Sequence, residues 1–383
     1  MTSEIDSAHW FDVVDAATLP SPGLLIYYER LEYNLKRMLE MAGGPERLRP
    51  HIKTHKMRDV VAMQLASGIT KFKCATLAEA AMAAGAGVPD LLLAYQPVGP
   101  AARQLASLAT AFPETQFSTI ADEAAAVHHL SAALASVSQP SAPGPELCVQ
   151  VLIDLDTGQH RTGIGVGPEA VELYRLIASL PHLKPGGLHA YDGHIGNQDL
   201  AQRAAASETA FAPVNTLRDE LEAAGLPVPR VVVGGSPTFP IHARRDGVEC
   251  SPGTFVFWDA GYAQKLPDLD FKPAALVLTR VVSKPGINRL CLDLGHKAIA
   301  SEMPQPRAQF LNLPDANPIL HSEEHLVVET SRAKEFKVGD ALYALPWHIC
   351  PTVALHSAAT VIEGGRAVKR WTVSARSREV NVS

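Results

Sequence analysis

From residue 24 to about residue 260, short apolar runs alternate with stretches of helical period. LLIYY (24–28), LRPHIK (48–53), KFKCA (71–75), DLLLAY (90–95), QFSTI (116–120), CVQVLIDL (148–155), GGLHAY (186–191) and RVVVGG (230–235) read as strands. Between them, Leu31, Leu35, Met38 and Leu39 share one helix face, and Ala170, Leu173, Ile177 and Leu180 share another. Gly43-Gly44-Pro45 and Gly225-Leu226-Pro227 supply stop signals. Eight alternations over about 240 residues predict a (β/α)8 TIM-type barrel, with a doubly wound open sheet as the alternative. SVSQPSAPGP (136–145) reads as an exposed insertion loop, because the alternation resumes after it. Past residue 270 the rhythm changes. AALVLTRVVS, NRLCLDLG, EHLVVET, DALYALP, TVALHSAATVIEG and AVKRWTVSAR follow one another as strands without intervening helices. The expected division is a barrel over 22–265 and a mostly β domain over 266–383, joined by 1–21.

Composition narrows the partners. A hydrophobic content of 46% describes a chain with ample core, and a net charge of −6 points to neither nucleic acid nor a membrane surface. No apolar run reaches the ~18 residues of a spanning helix. MTSEIDSAHW lacks the basic and apolar regions of a secretory signal. Five scattered cysteines, an odd number, argue for a reducing compartment over a disulfide framework. A cytoplasmic protein is the expectation.

The candidate chemistry gathers at predicted strand ends, where a barrel carries its active site. RPHIKTHK (49–56) packs Arg49, His51, Lys53, His55 and Lys56 into eight positions, with Lys53 at the end of a strand. Crowding by cations is one route to an amine that is nucleophilic near neutral pH and forms a Schiff base with an aldehyde. A solvated basic turn is the plainer reading. Arg161 follows CVQVLIDL, the sixth strand, Tyr191 closes GGLHAY, and Gly234-Gly235-Ser236 closes RVVVGG. The glycine turn, with Gly253 and Thr254 in SPGTF, suits a phosphate held by backbone N–H groups, or is simply a tight turn. A phosphate cup facing an amine is what pyridoxal phosphate requires. In WHICPT, His348 and Cys350 alternate by two, so an extended segment would present both on one face as ligands for a borderline-soft divalent ion. A buried thiol beside a core histidine fits the same spacing.

RPHIKTHK, HAYDGHIG, GGSPTFP, SPGTFVFWDAGY, DLGHKA, SEEHLVVE and WHICPT occur in this order. Together they resemble the D-threonine aldolase / D-serine dehydratase family of alanine racemase-like, fold-type III pyridoxal-phosphate enzymes, over about residues 20 to 378. The resemblance implies a pyridoxal 5′-phosphate barrel, a C-terminal β domain, one divalent metal ion (zinc or manganese) and a homodimer. It implies Lys53 as the Schiff-base lysine, Arg161 near the cofactor's phenolic oxygen and Tyr191 in the active site. It implies Gly234, Gly235, Ser236, Gly253 and Thr254 as the phosphate cup, and His348 and Cys350 as the metal pair. His-x-Cys resembles the zinc-dependent D-serine and D-threo-3-hydroxyaspartate dehydratases, whereas better-known D-threonine aldolases carry His-x-Asp. KFKCATLAEA, SPTFP and SPGTFVFWDAGY look like the aldolases. The expected reaction is retro-aldol cleavage of a β-hydroxy-D-amino acid, with an imidazole such as His194 as base. The alternative is dehydration to a 2-oxo acid and ammonia.

Overall fold

The apolar runs pair into two separate sheets in the computed structural model, which describes residues 9–138 and 147–380. From residue 139 on, the Ser/Pro/Gly-rich stretch lies outside the described residues. Strand β1 (Gly23–Tyr27) does not join the barrel as expected. It runs parallel to residues 359–362 and antiparallel to residues 275–278. Its composition, apolar throughout and buried on both faces, fits the middle of either sheet, so pattern alone did not decide its place.

The barrel strands are β2 (Lys71–Cys74), β3 (Asp90–Leu93), β4 (Gln116–Ala121), β5 (Val149–Asp154), β6 (Leu183–Ala190), β7 (Val231–Val233) and β8 (Glu249–Cys250). They pair in parallel in chain order. Residues 48–51 join the two edges. Leu48 bridges in parallel to Cys250, and His51 to Lys73. Arg49 N–H donates to Cys250 O at 2.8 Å, and Lys73 N–H donates to Pro50 O at 3.0 Å. The octapeptide's first half is thus the first stave and β8 the last. Leu92, Ile120, Leu152 and Val232 form a buried cluster on four strands. Each such side chain contributes about 1.5–3 kcal/mol by burial.

Ionisable residues tie the first and last staves together at the N-terminal ends of the strands. Arg49, fully buried, donates from Nη1 and Nη2 to the two oxygens of Asp90 at 2.8 Å, and from Nε to Glu249 at 2.6 Å. Lys71 also reaches Glu249 at 2.8 Å, and Arg230 reaches Asp90 at 3.2 Å. Charges this buried persist only because each is paired and hydrogen-bonded.

The second sheet adds β9 (Ala275–Gly286), β10 (Arg289–Leu292), β11 (Ala308–Phe310), β12 (Asn317–His321), β13 (Leu326–Glu329), β14 (Ala341–Pro346), β15 (Ala358–Glu363) and β16 (Arg366–Thr372). Its order is β12-β13-β10-β9-β1-β15-β16, with β14 also on β9 and β11 on β14. Phe11, Leu25, Tyr27, Leu276, Leu278, Leu345 and Ile362 pack as its core, and Tyr27 donates its hydroxyl to Phe11 O at 2.7 Å. By internal contacts one unit comprises residues up to 38, 54–59 and 254–376, and the other comprises 39–53 and 60–253. Among the described residues, no helix is long and apolar enough to cross a membrane.

Candidate active site

Tyr191 directly follows β6, and three cationic side chains surround its ring. Lys53 Nζ and Lys73 Nζ each stand 5.7 Å from the ring centroid, and the Arg161 guanidinium carbon stands 5.0 Å away. The first stave ends at His51, and the chain turns through the short helix Ile52–Thr54, which swings Lys53 over the strand ends. His51 Nδ1 accepts the Lys53 backbone N–H at 3.3 Å and braces that turn. Arg161 comes from the loop after β5.

The charge of the octapeptide is distributed differently from the expectation. Arg49 is neutralised by Asp90 and Glu249 and does not crowd Lys53. His55 is fully buried. Its Nδ1 accepts the Met57 N–H at 3.1 Å, and burial pushes the imidazole down to about 3. The cations that share the Tyr191 ring with Lys53 are Lys73 and Arg161, both from outside the octapeptide.

Lys73 is the register partner of Leu92, a member of the interior cluster, which explains why a lysine points into the barrel. Burial, and next the charge of Lys53, push Lys73 down to about 7. Its Nζ lies 3.4 Å from His189 Nε2, and His189 Nδ1 lies 2.7 Å from Asp154 Oδ1. Asp154 and His189 are register partners on β5 and β6, so their side chains leave one face together. The carboxylate holds the ring proton on Nδ1 and leaves Nε2 to accept from Lys73. Burial, then Lys73, holds His189 below its ordinary value. Lys73, His189 and Asp154 were not singled out in the sequence. The available signal was an ionisable residue inside each of three apolar strands.

Gly234, Gly235 and Ser236 follow β7, and Gly253 follows β8 by three positions. The structure brings them together: Gly253 N–H donates to the buried Ser236 Oγ at 3.2 Å. Thr254 starts the short helix Thr254–Val256 in the other unit, and its hydroxyl lies 3.6 Å from Cys350 Sγ. Amines beside an aromatic ring, with a turn of backbone N–H groups and a hydroxyl, fit an aldehyde-bearing phosphate.

His348 and Cys350 meet, although not on an extended segment. His348 caps the helix Ile349–Leu355, and Cys350 lies in its first turn. Burial opposes charge on both, but their mutual bond raises His348 to about 9 and holds the Cys350 thiol below its ordinary value. Thr54 Oγ1 lies 3.2 Å from the same sulfur. His348 Nδ1 lies 2.5 Å from Glu302 Oε1. A carboxylate on one ring nitrogen is how a metal-ligating histidine is usually oriented, so these residues fit a divalent ion. Among the described residues, no three His, Cys, Asp or Glu side chains gather as a complete metal site.

His194 is exposed and lines a cavity of about 680 Å³ with Asp156, Thr157, His160, Ile195 and Asn197. Neither Lys53 nor the glycine turn lines that cavity. Its wall touches the Tyr191 loop through Thr157, whose hydroxyl donates to Tyr191 O at 2.8 Å.

The model of the alanine racemase N-terminal domain matches residues 26–260, and that of a serine dehydratase domain matches residues 274–362. The chain belongs to the alanine racemase N-terminal domain family. Two relatives within this family cover nearly all of the chain. D-threonine aldolase of Arthrobacter sp is 29% identical over 367 residues, 94% of this chain and 93% of that protein. D-threo-3-hydroxyaspartate dehydratase of Delftia sp. (strain HT23) is 28% identical over 386 residues, 92% of this chain and 97% of that protein. The crystal structure of D-threonine aldolase from Filomicrobium marinum superposes with a TM-score of 0.86 at 26% identity, covering 94% of this chain and 96% of that one.

The buried His55 is expected to make the fold acid-sensitive. Its folded value near 3 lies below the ordinary 6.5, so its contribution is complete above pH 6.5 and is lost as pH falls toward 3. Urea denaturation at pH 7, 6, 5 and 4 should show up to about 1.4 kcal/mol lost per pH unit from this group. His55→Gln should flatten the slope by that amount. An unchanged slope would mean that His55 does not stay neutral.

Proposed function

We propose that the protein is a pyridoxal-phosphate- and divalent-metal-dependent lyase that cleaves D-threonine and other β-hydroxy-D-amino acids to glycine and an aldehyde. The observation that carries this reading is Lys53 beside Tyr191 and Arg161 at the strand ends, in a chain that aligns over 94% of its length with a D-threonine aldolase. Lys53 attaches the cofactor's aldehyde carbon. Arg161 and Tyr191 fix the ring, and Gly234, Gly235, Ser236 and Gly253, with Thr254, receive the phosphate. His348 and Cys350 hold the metal, and Glu302 orients the imidazole. When bound, pyridoxal phosphate supplies an electron sink for the bond broken at Cα, and the metal supplies Lewis acidity toward the hydroxyl oxygen.

The second reading is a zinc-dependent dehydratase, favoured by the thiol of Cys350 where an aldolase of this family carries a carboxylate. In that case Lys53 removes the α-proton and the hydroxyl departs, giving a 2-oxo acid and ammonia. Incubating the metal-loaded holoenzyme with D-threonine separates the two. Glycine plus acetaldehyde in equal amounts is expected. Predominant 2-oxobutanoate and ammonia would replace the aldolase with the dehydratase.

A further inference from the structure

Behind the glycine turn lies a buried carboxylate that none of the proposed steps uses. Asp192 is 3% exposed, and both of its oxygens are engaged. Thr238 Oγ1 donates to Oδ1 at 2.7 Å, and His242 Nε2 donates to Oδ2 at 2.8 Å. Both donors come from the segment directly after the turn, and both touch it. Gly235 N–H donates to Thr238 Oγ1 at 3.4 Å. Gly234 has φ of +73°, and a Cβ there would lie 2.8 Å from His242 Cδ2 and 3.0 Å from Thr238 Oγ1. The turn is therefore seated on the two side chains that Asp192 grips. Helix Leu200–Ala223 backs the imidazole, with Phe211 edge-on at 5.5 Å and Ser207 Oγ at 3.4 Å from Nε2.

We propose that Asp192 is a positioning residue that sets the phosphate-binding turn, holding Gly234–Ser236 in place through Thr238 and His242. The proposal rests on reading that turn, with Gly253, as the phosphate cup. A carboxylate removed from water is costly unless both oxygens find donors. Here the donors converge from one short segment, so the carboxylate selects a single conformation of that segment. Because Asp192 directly follows Tyr191, one residue couples the loop that carries the ring to the loop that receives the phosphate. The role is one of orientation. Its loss should weaken recognition of the phosphate and leave recognition of the ring and aldehyde alone.

Pyridoxal 5′-phosphate and pyridoxal differ only in the group that the turn would meet. Binding of each to the full chain is measured by absorbance for wild type, Asp192→Asn, Thr238→Val and Thr238→Ser. Asp192→Asn and Thr238→Val are expected to raise the Kd for the phosphate form ten- to a hundredfold and to move the Kd for pyridoxal less than twofold. Thr238→Ser keeps the hydroxyl and should match wild type. Equal weakening of both compounds, no weakening, or tighter phosphate binding in Asp192→Asn overturns the proposal. If Asp192→Asn does not fold, the contrast between valine and serine at 238 decides it. Wild type binding both compounds equally well removes the phosphate cup itself, and this reading with it.

Discussion

Lys53→Ala should leave the protein without covalently held cofactor and lower turnover by at least roughly a thousandfold, the scale on which loss of a covalent catalyst is felt. Borohydride reduction of the holoenzyme followed by peptide mass analysis should place the adduct on Lys53 in wild type and on no lysine in the variant. The site itself supplies the competitor. Lys73 shares the Tyr191 ring at the same 5.7 Å and is pushed down to about 7, chiefly by burial, so a large fraction of it is a free amine at neutral pH. What sets the two lysines apart is anchorage. Lys73 donates to His189, which Asp154 fixes in turn, and that chain holds Lys73 against the barrel interior. Lys53 extends from a short helix beyond the last bridge of its stave. An adduct on Lys73 in wild type would reverse the roles. Lys56 and Lys297 are weaker rivals. Neither is among the cations at the Tyr191 ring, and Lys297 is exposed and paired with Glu323 and Glu324 at 2.9 and 3.1 Å.

Arg49→Met is expected to destabilise the protein by about 3–5 kcal/mol at pH 7, as removal of one partner from a buried charge cluster usually does. It leaves Asp90 bonded to Arg230 and Glu249 bonded to Lys71 among the described residues. Burial works against ionisation of both carboxyls, yet the Arg49 bonds hold each below the ordinary carboxylate range. The sign of the pH dependence follows. Depressed folded values give stability that is present above about pH 4 and is lost as pH falls through them. The gap between wild type and Arg49→Met should therefore be widest at pH 7 and narrow below pH 4, read as urea midpoints. A variant within about 1 kcal/mol of wild type at pH 7 would show that the remaining partners suffice.

The alternation of apolar runs and helical faces carried the barrel and the change to a β domain near residue 270. It misplaced β1 because LLIYY is equally suited to either sheet, and it passed over β8 because two residues carry no period. RPHIKTHK does carry Lys53 to the Tyr191 ring, but its own cations are not what surrounds that lysine. The groups that neutralise Arg49 lie 41 and 200 positions away, and the lysine that does share the ring with Lys53 sits on another strand. Local charge counting cannot see such partners. His348 and Cys350 do come together, but at a helix start and not on the extended segment that the spacing suggested. His194 was drawn from its neighbourhood in HAYDGHIG, and only the coordinates reveal the separate cavity it lines.

Closure of the ring has a kinetic side. Leu48 and His51 join partners at Cys250 and Lys73 through single bridges, and the Arg49–Glu249 bond spans 200 residues of chain. Contacts between positions so far apart carry the largest loop-closure entropy and form once the intervening strands have already assembled. Lys53 follows that seam by two residues, so the amine is expected at the Tyr191 ring only once the seam has closed. A nascent chain that has made β2 to β7 but not this seam has no assembled pocket in which to capture an aldehyde. On the proposed role of Lys53, cofactor loading would report that this seam has closed.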